Sequence, residues 1–83
     1  MSVEYYRKQI VDLRARIANE RESKKKDNEY YARMIKSATS PSTKATYRKS
    51  KIDKAEAHDR HIDYLERQID SAKISLARER ARK

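Results

Sequence analysis

The chain has 83 residues, of which 42% are Asp, Glu, Lys or Arg and 36% hydrophobic, with one proline and no glycine, cysteine, phenylalanine or tryptophan. That composition excludes a thick globular core, a disulfide framework, a thiolate metal site and the turn-rich pattern of a β protein. A net charge of +9 favours acidic partners such as nucleic acid, but acids interspersed along both halves argue against a dedicated basic arm.

The N-terminal stretch has no apolar run of the kind that marks a signal peptide, and no segment is apolar enough to span a bilayer. With no cysteine as well, a cytoplasmic protein without membrane partners is expected. The first helix is predicted over about residues 3–38, with Ser2 as N-cap and Glu4 in the first turn, where a negative charge suits the helix dipole. Its stripe, Val3, Tyr6, Ile10, Leu13 and Ile17, repeats at alternating spacings of three and four, the pattern of a coiled-coil seam. In the same register follow polar Glu20, Lys24 and Asp27, then Tyr31, Met34 and Ala38, with Ile35 alongside. Acid-first pairs four apart, Glu4–Lys8, Asp12–Arg16, Glu20–Lys24, Glu22–Lys26 and Glu29–Arg33, are expected to keep the exposed faces wound. The run Lys24-Lys25-Lys26 reads either as a phosphate-binding patch or as a solvated face, and the second is the general rule.

The one break is Ser37-Ala38-Thr39-Ser40-Pro41-Ser42-Thr43. Proline lacks the N–H that a helix interior needs, and it pushes Ser40 out of helical dihedrals. A hinge is predicted at 39–41, centred on Ser40, Pro41 and Ser42. The second helix is predicted over about 41–82, with Ser40 as N-cap and Pro41 at its first position. Its seam is read as Ala45, Ile52, Ala55, Ile62, Leu65, Ile69, Ala72 and Leu76. The ten-residue gap from Ile52 to Ile62 reads as a stammer. Glu56–Arg60 and Asp63–Arg67 extend the pairing of outer faces.

Folding at the hinge pairs residues whose numbers sum to roughly 80, because both helices rise equally per residue. Apolar then meets apolar, and Glu20, Lys24 and Asp27 face Ala55, His58 and Asp59. The predicted fold is all-α: two long helices in an antiparallel coiled-coil hairpin, forming a rod ~55 Å long. So thin a core invites self-association. Tyr5, Val11, Ala18 and Ile74 lie off the seam and are the candidate face for a dimer forming a four-helix arrangement.

Catalytic chemistry is not visible. No nucleophile has a placed base, and no glycine-rich loop exists to cradle a phosphate. A non-enzyme with no small-molecule substrate and no cofactor is expected. His58 and His61, near Asp59, Asp63 and Glu20, could hold a metal, but two histidines without a fixed third ligand read better as a polar layer of the seam, so no metal is expected. Tyr30, Tyr31 and Tyr47 read either as base-stacking rings or as a plug at the hinge end, and the plug is preferred.

Three segments resemble the helical region that precedes the TIR domain in many bacterial TIR-domain proteins. They are Val3-Glu4-Tyr5-Tyr6-Arg7-Lys8-Gln9-Ile10-Val11-Asp12-Leu13-Arg14, the hinge, and Ile62-Asp63-Tyr64-Leu65-Glu66-Arg67-Gln68-Ile69. The resemblance implies an oligomerisation region that brings effector domains together in signalling or antiphage defence. The TIR fold and its NAD-cleaving residues are absent from this chain, so no catalytic residue carries over. The alternatives are a basic helical protein holding nucleic acid, and a small helical partner in a secretion complex, the latter without the WxG turn that would support it.

Overall fold

A computed structural model describes residues 2–82. Two helices account for nearly all of them: α1 spans Val3–Ser37 and α2 spans Pro41–Ala81. They form an antiparallel hairpin with extents of 66 × 14 × 11 Å. The rod is longer than ~55 Å because that figure is too short for the predicted second helix: at 1.5 Å per residue the 41 residues of α2 alone span about 61 Å.

Each helix starts on a serine. Ser2 accepts from the Tyr5 amide at 3.2 Å, and Ser40 accepts from the Thr43 amide at 3.5 Å, so a donor in each first turn is satisfied. α1 ends where Ala38 turns to extended dihedrals (φ −68°, ψ 137°), although its amide still reaches the Met34 carbonyl at 3.0 Å. Ser40 is also extended (φ −98°, ψ 134°), as the residue before a proline should be. Pro41 then opens α2, where its missing N–H costs nothing.

The core is one cluster: Ile10, Leu13 and Ile17 from α1 against Leu65, Ile69 and Ala72 from α2, with Ile62 and Leu76 packed on its edge. Leu65 is 2% exposed and sits at its centre. Val3 and Tyr6 are half-buried beyond it, toward the open end. All six buried residues lie in the half of the rod away from the hinge. The hinge end is closed by half-buried Tyr31, Met34, Ile35 and Tyr47 instead, with the Tyr31 and Tyr47 rings 6.4 Å apart.

Two seam assignments are corrected. Ile52 is 57% exposed and Ala45 is exposed; the half-buried positions of early α2 are Lys44, Tyr47, Ser50, Lys51 and Ala55. The seam therefore passes through Lys51, Ala55, His58 and Ile62, and Ile52 lies about 100° around the helix from Lys51. The stammer disappears with Ile52. The run Lys44, Tyr47, Lys51, Ala55 instead spaces the seam by three, four and four, an eleven-residue local period that unwinds the coil. No helix among the described residues is long and apolar enough to cross a membrane.

Candidate functional site

The apolar core of α1 gives out after Ile17, and the next seam positions are Glu20, Lys24 and Asp27. Glu20 and Asp27 are seven residues apart, so they share one side of α1 about 10 Å apart along its axis. The His58 ring enters between them from α2. Its Nδ1 lies 2.5 Å from Glu20 Oε1, and its Nε2 lies 2.7 Å from Asp27 Oδ2. Between the two acids, Lys24 Nζ donates to Asp59 Oδ1 at 2.7 Å. Five ionisable side chains thus form one layer across the rod.

The geometry selects a protonation state. A neutral imidazole has a single N–H and can donate to one carboxylate only, whereas the imidazolium donates to both. The bond to Asp27 raises the His58 pKa most, the bond to Glu20 next, and burial opposes them without winning. The surrounding charges agree with this. Three carboxylates, Glu20, Asp27 and Asp59, face Lys24 alone unless His58 is charged.

This arrangement does not make a chelate. Glu20 and Asp27 grip opposite edges of the ring, so one ion cannot bind either acid together with the ring nitrogen nearest the other. Among the described residues no group of three or more His, Asp or Glu side chains converges on a point that a metal would occupy. His61, three residues on, is exposed and lies 6.4 Å from the Tyr64 ring. The two histidines face different surroundings and do not act together.

The layer also reassigns ion pairs. Glu20 and Lys24 reach across to α2 and not to each other. Glu4 pairs with Arg7 at 3.3 Å, and Asp63 pairs with Arg67 at 3.0 Å. Arg21 and Glu66 meet across the helices at 3.8 Å, with both side chains more than half exposed. Such pairs contribute little individually.

The four residues expected to form a dimer face do not share one surface. Tyr5, Val11 and Ile74 are 48%, 63% and 54% exposed, and Ala18 is exposed too. Six residues separate Tyr5 from Val11, which turns them about 120° apart, while Ala18 lies close to Val11 in azimuth. Tyr5 instead borders a shallow groove along one flank of the open end. Tyr6, Gln9, Tyr64, Gln68 and Ser71 also line it. Tyr5 and Tyr6 meet edge to face at 5.2 Å, and Gln68 donates to the Tyr64 hydroxyl at 2.8 Å. The Tyr64–Gln68 spacing of four was the available sequence signal, hidden because Tyr64 lies off the apolar stripe. The seam's route through His58 and Ala55 is also available, by counting four and then three backward from Ile62.

At the hinge end, Tyr31 and Tyr47 pack on each other and are half-buried, while Tyr30 is 48% exposed and meets Tyr31 edge to face at 5.1 Å.

The fold and this layer define a two-helix antiparallel hairpin with a polar clamp at mid-length. Compared with protein-family models, with curated proteins and with solved structures, the chain matches none.

Proposed function

We propose that this hairpin is a non-enzymatic coiled-coil module whose work is self-association. The observation that carries the reading is the imbalance between the core and what surrounds it. Six buried side chains hold 81 described residues, while Tyr5, Val11, Tyr64 and Ile74 remain about half exposed or more. A seam this narrow gains from a second one. Two copies of a +9 chain repel, so they should meet where charge is sparse. The Tyr5–Tyr64 groove meets that requirement: among the described residues, tyrosine, glutamine and serine line it, with Arg67 the one charged side chain. Tyrosine is enriched at interfaces, because its ring packs while its hydroxyl stays bonded.

The resemblance to regions preceding TIR domains supports a bacterial signalling or defence effector as the protein that such a module assembles, in the cytoplasm. Sedimentation equilibrium across protein and salt concentration tests the reading. A dimer or larger assembly is expected at tens of micromolar. It should persist or tighten as salt screens the repulsion, and Tyr5→Glu/Tyr64→Glu should dissociate it. A wild-type chain that stays monomeric there, yet is fully helical and melts cooperatively, refutes the proposal.

A further inference from the structure

The charge is uneven along the chain, and folding brings its two acid-rich stretches side by side. Eight of the thirteen acids, Glu20, Glu22, Asp27, Glu29, Glu56, Asp59, Asp63 and Glu66, collect in the middle of the rod. Residues 30–54, which form the hinge end, hold seven basic side chains against one acid, Asp53, a net +6 of the chain's +9. None of these seven takes part in any of the ion pairs among the described residues. On α2, Lys44, Arg48 and Lys51 follow at spacings of four and three and so form a row on one side, spaced about 6 and 4.5 Å along the axis. Lys44 and Lys51 are half-buried at the seam. Half-buried lysines keep their stems on apolar surface and their ammonium groups in water, and neither of these two has a carboxylate partner among the described ion pairs. Lys36 stands in the last turn of α1, and exposed Thr39, Ser42 and Thr43 surround the positive end of α2.

We infer that the hinge end is a nucleic-acid contact surface, with Lys44, Arg48 and Lys51 as a row that meets the phosphate backbone. Point charges in a line, flanked by hydroxyl donors at a helix start, match the chemistry of sequence-independent phosphate contact. An anionic membrane fits less well. Surface helices hold themselves in a bilayer interface by an apolar face that often carries Trp, Phe or Leu. The chain has no Trp or Phe, and the exposed apolar side chains here are scattered, Tyr30 and Ala32 on α1 and Ala45 and Ile52 on α2. The inference is independent of self-association, which uses the opposite end of the rod.

The test is fluorescence anisotropy of the full chain with a labelled 20-base-pair duplex of mixed sequence, titrated at several salt concentrations. Lys44→Gln/Arg48→Gln/Lys51→Gln is compared with Lys8→Gln/Arg14→Gln/Arg16→Gln, which removes equal charge from the open end. The hinge variant is expected to bind at least about tenfold more weakly, with the slope of log K against log salt shallower by about 2 to 3. The open-end variant should stay within about threefold of wild type, as contacts remote from the interface are screened. If the triple hinge variant loses helicity by circular dichroism, exposed Arg48→Gln alone replaces it, with the slope reduced by about 1. Three results overturn the inference: no wild-type binding at the lowest salt, an equal loss in both variants, or binding to phosphatidylserine vesicles with none to the duplex.

Discussion

Raising the pH should loosen this hairpin at its middle. His58 is held by Asp27 and Glu20, and its pKa is raised above the ordinary 6.5. The folded state therefore binds the proton more tightly than the unfolded state does. The resulting stabilisation is fully present below about pH 6.5 and is lost as the pH rises through the folded-state pKa. Its size follows from the geometry. A hydrogen bond to a charged group contributes about 1.5–3 kcal/mol when well shielded. Deprotonation removes one such bond and leaves the other with a neutral donor. The His58 and Glu20 side chains are 16% and 24% exposed, but Asp27 is 40% exposed, so its bond counts for less. A net loss of about 1–2 kcal/mol is expected. In a domain of this size that lowers Tm by about 5–15 °C. Thermal melts followed at 222 nm, at fixed ionic strength and protein concentration between pH 5.5 and 9, measure it. His58→Gln should flatten the profile and His61→Gln should not. The reasoning is refuted if wild type gains stability over that range, or if His58→Gln keeps the wild-type slope.

Leu65→Ala should destabilise by about 2–5 kcal/mol, enough to unfold the monomeric hairpin, because Leu65 is the most buried side chain of the core cluster among the described residues. Ile52→Ala should change stability by no more than about 0.5 kcal/mol, because that side chain is 57% exposed; urea titration separates the two, and a large effect at Ile52 would restore the discarded seam. Pro41→Ala should weaken the hinge and favour one continuous helix, hence an extended helix-exchanged dimer. Small-angle scattering should then report a larger radius of gyration, and an unchanged compact size would mean that the seams alone close the hairpin.

The hairpin was legible because its signals are local and redundant. A single proline, two serine caps and an alternating stripe of Ile and Leu each point to the same two helices. The open-end core was legible for the same reason, since Ile10, Leu13 and Ile17 have no competitors of similar size in their register. Early α2 was not. Ile52 is the one large aliphatic residue between Pro41 and Ile62, and hydrophobicity alone assigns it to the seam. The packing of Tyr31 against Tyr47 and the grip on His58 fix the helix rotation on either side and leave Ile52 outside. The layer of Glu20, Lys24, Asp27, His58 and Asp59 was foreseen as facing residues, but its connectivity was not. Which acid a histidine bonds depends on rotation about side-chain bonds, and spacing carries no such information. The charged hinge end is also written in the sequence, as a contiguous +6 over residues 30–54, but counting charge by halves divides that stretch at the hinge and hides it.

The polar layer also reinforces the register that the hinge and the apolar core set. A long heptad stripe admits a slip by seven in principle, but here the three-residue connection opposes it, and so does the short stripe, because Ile10 would come to face Glu79. Slide α2 by that amount so that Leu65 replaces His58. Glu20 and Asp27 then flank a leucine, and two partly buried carboxylates lose their cation. His58 meanwhile moves toward Tyr31, away from both. Uncompensated charges in a seam are costly even where the intact pair adds little net stability, so the layer excludes the slipped register more strongly than it stabilises the native one. The consequence reaches the surface. Tyr5 on α1 and Tyr64 on α2 line one groove only in the native register; a slip of seven would carry Tyr64 about 10 Å along the rod and break the groove apart. The clamp at mid-length thereby helps the hinge and the core hold the register on which the proposed self-association groove depends.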